Sequence, residues 1–261
     1  MQSGGVKIKS YKWGYCEQIA KVVCRTDPLK KQKFWARALL LEIPEVGKVL
    51  IDTGYSRHFF EATKTFPYRL YRYLTPIVLE EDPAILLVDY VLITHFHPDH
   101  IGGLHNYQDA PWIYPKKGFD ALKNLKGFKA LRQGFIPPLL PLKIPKGSQA
   151  ISEFGSTPFS DRFPAVDLFG NNQLYAFDLP GHAVGQIGVA FRVEKGWVLY
   201  IADAAWSAKA VYEGAPPNAL GLLAQNSRRE YLETFWNLHK LVKENSDITI
   251  LTTHGEEESN E

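Results

Sequence analysis

The sequence predicts an α/β protein built as a four-layer αββα sandwich. Three observations predict it: two hairpin patterns of apolar strands, one long amphipathic helix, and a series of apolar runs that end on His or Asp. Ala36 to Ile43 and Lys48 to Asp52 flank the turn Pro44-Glu45-Val46-Gly47, which reads as the first hairpin. Asp89-Tyr90-Val91-Leu92-Ile93 is a short apolar run without alternation, as expected of a buried strand. Ile187 to Val193 and Trp197 to Asp203 flank Glu194-Lys195-Gly196 and give the second hairpin. A helix is expected from Ser227 to Asn245, opened by the capping box Ser227-x-x-Glu230, with Leu232, Phe235, Leu238 and Leu241 on one stripe. His239 falls just off that stripe and reads as a packing or surface residue. At 261 residues and 45% hydrophobic content, one domain spanning 1–261 with a substantial core is expected. There is no internal repeat.

The chemistry concentrates where the 89–93 run ends. Thr94-His95-Phe96-His97-Pro98-Asp99-His100 places three imidazoles and one carboxylate within six residues. A single histidine is more often a surface or core residue, but metal ligands must aim lone pairs at one point, and this set suits zinc and its first-row neighbours. In an extended segment His95 and His97 point the same way, while Asp99 and His100 turn back from the other side. Two neighbouring metals are the expected result. Asp99 as a plain helix N-cap would need no flanking histidines. Three further candidates each follow an apolar run: His182 in Pro180-Gly181-His182, Asp203 after Tyr200-Ile201-Ala202, and His254 after Leu251-Thr252-Thr253. Ligands at the ends of several strands would open on one edge of the sandwich. His58 and His105 are left over and are read as loop packing or as support for the ligands.

In these residues the chain resembles the metallo-β-lactamase-fold hydrolases, over nearly its whole length. The family pattern maps onto Asp52 in Ile51-Asp52-Thr53-Gly54, then His95, His97, Asp99 and His100, then His182, Asp203 and His254. The resemblance implies that one metal takes His95, His97 and His182 and the other Asp99, His100 and His254. Asp203 would bridge them together with a water or hydroxide, and Asp52 would orient ligands from behind. It further implies two divalent ions, zinc first, with iron or manganese accepted by the same ligands. Such a pair would make hydroxide available near neutral pH and polarise a carbonyl. Asp99 is the residue expected to handle the proton of the leaving group. No Gly-x-Ser-x-Gly elbow competes with this chemistry.

Within that family the pattern is most similar to the acyl-homoserine-lactone lactonases. The expected function is therefore hydrolysis of a carboxylic ester, a lactone with an apolar acyl group, by a lactonase or esterase-like enzyme. An acyl-thioester hydrolase, or a regulatory binding protein that keeps the metal site, are the alternatives. One position departs: the lactonases usually carry Tyr three residues after the bridging Asp, and here Trp206 stands there, so either the metals act alone or Tyr55 or Tyr212 supplies the phenol. So little chain follows His254 that the C-terminal helical domain of glyoxalase II-like thioesterases is not expected.

Two stretches, 59–79 and 106–169, are rich in aromatics and prolines and read as inserted loops near the substrate pocket. They would either wall an apolar pocket or pack a minicore or a homodimer interface. The net charge of +2 gives no basic nucleic-acid footprint, and Glu256-Glu257-Glu258 reads as a solvated end. No apolar run is long enough to span a bilayer and Met1 to Ser10 lacks a signal-peptide core, so a cytoplasmic protein is expected. Cys16 and Cys24 then read as free thiols. The partner is a small apolar ester, lactone or thioester, not nucleic acid or membrane.

Overall fold

The computed structural model describes residues 5–83 and 85–255. The Glu256-Glu257-Glu258 run and the first residues of the chain lie outside them. Strands β1 (Lys7–Ile19), β2 (Lys31–Ile43), β3 (Gly47–Ile51), β4 (Ile77–Leu79), β5 (Tyr90–Leu92), β6 (Trp112–Pro115) and β7 (Gln149–Ile151) form one sheet in the order β4-β1-β2-β3-β5-β6-β7. Strands β8 (Ala165–Asp167), β9 (Leu174–Asp178), β10 (Ile187–Val193), β11 (Gly196–Tyr200) and β12 (Ile248–Leu251) form the second, in the order β12-β11-β10-β9-β8.

Both predicted hairpins form. Strands β2 and β3 pair antiparallel with Leu41 opposite Val49, and β10 and β11 pair with Val193 opposite Gly196. Gly196 is needed at its turn because its φ is +130° and a Cβ there would lie 2.1 Å from the Asp247 carbonyl oxygen. The run Ala38-Leu39-Leu40-Leu41 is apolar at every position because both faces of its sheet are covered. Leu39 and Leu41 pack inward against Val189, Tyr200 and Leu251 of the second sheet. Ala38 and Leu40 pack outward with Phe59, Leu104 and Leu139. The outer face of the second sheet is covered by the long helix, with Phe235, Leu238 and Leu241 over Ala190, Leu199 and Ile250. Four layers result, helices outside and two sheets between.

That helix runs Arg228–Glu244, with Ser227 accepting from the Glu230 amide at its N-terminus. Its buried stripe is Tyr231, Phe235, Leu238 and Leu241, whereas Leu232 is only half-buried. Three of the four expected positions are buried, and in place of the fourth stands Tyr231, which packs against Gly181 of the loop carrying His182. The aromatics of the two inserted stretches mostly pack into core: Phe59 and Phe135, with Ile136 and Leu139, join the outer cluster of the first sheet, and Phe159 meets Phe177 edge-on and Trp197 at a tilt. Cys16 and Cys24 are both free and buried. Among the described residues no helix is long and apolar enough to cross a membrane.

Candidate metal centre

The candidate ligands are delivered by the C-terminal ends of parallel-paired strands. β3, β5 and β6 run parallel, and so do β11 and β12. Asp52 follows β3, the His95 to His100 segment follows β5, Asp203 follows β11 and His254 follows β12. Parallel strands present these ends on one edge, where loops can converge on one point. Two residues turn sharply to do so, Asp52 with φ +56° and Ala202 with φ +46°. His182 comes from the β9 to β10 connection, where Gly181 (φ +128°) lies so close to helix Arg228–Glu244 that a Cβ would be 2.2 Å from the Tyr231 nitrogen.

All seven predicted side chains come together. Their ligand atoms fall into three groups that could each hold a metal ion: His95 with His97 and His182, His95 with His100 and Asp203, and Asp99 with Asp203 and His254. His182 Nε2 lies 3.0 Å from His97 Nδ1 and 3.4 Å from Asp203 Oδ2. His254 Nε2 is 3.1 Å from Asp203 Oδ2 and 3.5 Å from Asp99 Oδ2. His100 Nε2 is 3.4 Å from Asp203 Oδ1 and 3.5 Å from Asp99 Oδ2.

What turns these nitrogens inward is a shell of fixed partners behind them. His100 Nδ1 donates to Asp52 Oδ2 at 2.7 Å, His254 Nδ1 to the Trp35 carbonyl at 2.7 Å, and His182 Nδ1 to Gln225 Oε1 at 2.8 Å. Thr94 gives its hydroxyl proton to Asp52 Oδ2 at 2.8 Å, so it accepts from His95 Nδ1 at 3.2 Å. In each case the Nε2 lone pair is left facing the centre. His95 Nε2, His100 Nε2 and Asp203 Oδ1 are buried and make no hydrogen bond. Buried polar atoms are rarely left so, and this donor set of imidazoles and carboxylates fits a divalent cation.

The electrostatics divide the imidazoles. Burial, reinforced by the neighbouring imidazoles, holds His95 well below the usual histidine range, and His97 falls to about 3 for the same reasons. Burial also lowers His182. For His100 burial opposes protonation, but Asp52, Asp99 and Asp203 outweigh it and raise its pKa. Burial works against ionising Asp99 and Asp203, yet His100 and His254 overcome it and keep both carboxylates charged.

Asp52 ties this shell together, since it also accepts from the Thr94 amide at 2.9 Å and the Tyr200 hydroxyl at 3.4 Å. Asp52→Asn keeps the left-handed backbone, which Asn tolerates, but replaces one acceptor oxygen with an NH₂ donor among groups that all donate, His100 Nδ1 and the Thr94 hydroxyl and amide. We expect metal affinity to fall about 10- to 100-fold, read by competition with a chromophoric chelator. Unchanged affinity would remove Asp52 from this role.

Beside the centre lies a cavity of about 720 Å³, within the usual size of a ligand site. Its apolar side is Val22, Val23, Phe34, Leu220 and Leu223, from the N-terminal region and the helix Ala219–Leu223. The inserted stretches contribute Tyr71, Thr75, Arg132, Gln133 and Gly134, mostly polar. Trp206 also lines it, but its Nε1 donates to Asp203 Oδ2 at 3.2 Å and so faces the centre. Tyr212 does not fill the phenol position, because its hydroxyl accepts from the Ile250 amide at 3.0 Å, whereas Tyr55 does line the cavity. The His58 and His105 rings lie tilted against each other with centroids 3.9 Å apart, each with Nε2 on the Pro138 carbonyl, and His239 contacts the Val211 carbonyl. These three pack loops and helices. Gln225 and the Trp35 carbonyl were not foreseen, and nothing in the local sequence around either points to a histidine far along the chain.

The model of the metallo-beta-lactamase superfamily matches residues 37–241, and the chain belongs to this superfamily. It is a metal-dependent hydrolase with the metallo-β-lactamase fold, a fold that implies divalent metal. No curated protein sequence matches it significantly. Among solved structures it is similar to a variant of AiiA from B. thuringiensis with N-decanoyl-L-homoserine bound at the active site, at 18% identity, 98% and 95% coverage of the two chains and TM-score 0.68. It is also similar to AidC, a dizinc quorum-quenching lactonase in complex with a product, at 16% identity, 98% and 90% coverage and TM-score 0.63. The hydrolase AbOPH follows at 15% identity, 98% and 89% coverage and TM-score 0.60.

Proposed function

We propose that this chain is a single-domain dinuclear hydrolase of carboxylic esters, with a lactone bearing an apolar acyl group as preferred substrate. The observation that carries this reading is that Asp203 belongs to two of the three ligand groups, with imidazoles facing each of its oxygens. His95, His97 and His182 would hold one ion, and Asp99, His100 and His254 the other, with Asp203 between them. Zinc suits this set best, and iron or manganese would be accepted. Divalent ions bound there would lower the pKa of water towards neutrality and polarise the substrate carbonyl. Asp99 is the ligand assigned to proton transfer: its carboxylate is kept ionised and lines the cavity, so an oxygen can take a proton and pass it to the leaving alkoxide. Tyr55 and Tyr71 both line the cavity, and Tyr55, kept protonated by burial and by Asp99 as Tyr71 is, is the phenol we assign to a substrate oxygen. The apolar side of the cavity supports an acyl chain, and the likeness to the lactonases supports a lactone.

The test is turnover by metal-reconstituted protein of acyl-homoserine lactones, aliphatic lactones, aryl esters and acyl-thioesters. Lactones are expected to lead, with activity falling about 100-fold or more in Asp99→Asn. A preference for thioesters would replace the ester assignment. No turnover by protein holding two metals would overturn the enzymatic reading in favour of a binding role.

A further inference from the structure

The near-neutral total hides a local imbalance. Between Lys116 and Arg132 the chain carries six basic side chains and one acid, Asp120, which Lys116 and Lys123 both engage. Lys126, Lys129 and Arg132 recur at every third residue along the helix Gly127–Arg132 and its cap, and all three are exposed. Among the described residues none of these three has an ion-pair partner. Arg132 ends the row and lines the cavity, where it is the one Lys or Arg side chain among the described residues. Gly134, two residues on, has φ +62° and approaches His97 so closely that a Cβ would lie 2.7 Å from Nε2. The Arg132 segment therefore abuts the metal centre on its His97 side. The apolar lining comes from other segments: Val23 and Phe34 pack with Trp206, which meets Gly221 on the helix that carries Leu220.

A cavity with a free guanidinium at one wall and apolar side chains at another selects a molecule with both characters. We propose that the ester cleaved here carries an anionic group, a carboxylate or a phosphate, set apart from the scissile carbonyl and held by Arg132. Its apolar part would lie against Val23, Phe34 and Leu220. A guanidinium suits either anion, because its planar fork offers paired donors to two oxygens. The exposed row of Lys126 and Lys129 would raise the local concentration of such a substrate at the mouth. This inference rests on the hydrolase reading above.

The test uses matched esters that differ only in a neutral, carboxylate or phosphate terminus, on metal-loaded protein. Wild type is expected to prefer an anionic member in kcat/KM, and the anion that gives the larger preference names the group. In Arg132→Gln the ratio of anionic to neutral kcat/KM is expected to fall about 10- to 100-fold, the effect of one charged hydrogen-bonding partner. Arg132→Lys should recover part of it. A wild-type ratio near one, or a ratio that Arg132→Gln leaves unmoved, would overturn the proposal. Calorimetry with the amide analogues of the same series separates the two readings. If no ester is turned over, the hydrolase reading fails. Anion-dependent affinity that persists in Arg132→Gln would independently overturn the role of Arg132.

Discussion

Replacing Asp203 by Asn is expected to lower ester turnover at least about 1,000-fold, equivalent to some 4 kcal/mol of transition-state stabilisation. The side chain keeps its shape, and its oxygen can still accept from Trp206 Nε1. What changes is charge. The carboxylate sits within 3.4 Å of His100 Nε2, His182 Nε2 and His254 Nε2, and the substitution puts an NH₂ donor among nitrogens meant to offer lone pairs. Bound metal should fall from two ions per chain to one or none, measured by elemental analysis after gel filtration. A variant that retains both ions and full turnover would sink the assignment of Asp203 as the shared ligand.

Gly181→Ala is expected to destabilise the protein by about 3 kcal/mol or more, through a strained backbone and a clash with a helix. The φ of +128° is open to Gly alone in practice, and the added Cβ would meet the Tyr231 nitrogen at 2.2 Å and its Cα at 2.3 Å. Both clashing atoms are backbone, so no rotamer change relieves them. For a chain of this size the melting temperature should drop by roughly 6–12 °C. The loop around Gly181 is pinned to the start of helix Arg228–Glu244 by Ser227 N donating to the Gly181 carbonyl at 2.9 Å and Asn226 N donating to the His182 carbonyl at 3.0 Å. Displacing it should therefore also move His182 and cut turnover. Gly170→Ala is the control, because Gly170 has φ +69° with nothing within 4 Å of a Cβ. Equal losses at the two positions would mean that close packing against Tyr231 contributes nothing.

Much of this arrangement is legible along the chain for a physical reason. His95, His97, Asp99 and His100 lie within one short segment, the last two in the helical turn Pro98–Ile101, so their convergence is local geometry and their spacing alone declares it. His182, Asp203 and His254 lie far apart, but each ends an apolar run, and apolar runs are strands whose C-terminal ends gather at one edge. The hairpins and the capped helix were readable because alternation, turn residues and an N-cap act over a few residues. The helix face was misread by one position, Leu232 for Tyr231, because both are apolar and only the neighbouring loop decides which one is buried.

The aromatic content of 59–79 and 106–169 fits a pocket wall and a packed minicore equally, and the structure takes mainly the second: Phe59, Phe135 and Phe159 pack into core, while Phe66 and Phe128 pair in the open, 62% and 60% exposed. An aromatic residue has the same composition signature in a minicore as in a pocket. The apolar wall comes instead from Val22, Val23, Leu220 and Leu223, on two short helices distant in sequence.

Residue type, periodicity and strand-end position act locally, so the chain alone names the seven candidate side chains that meet at one point and indicates the layered fold. Packing alone sets which partners aim the imidazoles, that Tyr55 and not Tyr212 reaches the cavity, and that Arg132 lines its wall. Those facts depend on contacts such as His182 with Gln225, His254 with the Trp35 carbonyl, and Trp206 with Asp203, and a hydrogen bond between remote residues leaves no pattern in the chain until packing brings them within about 3 Å.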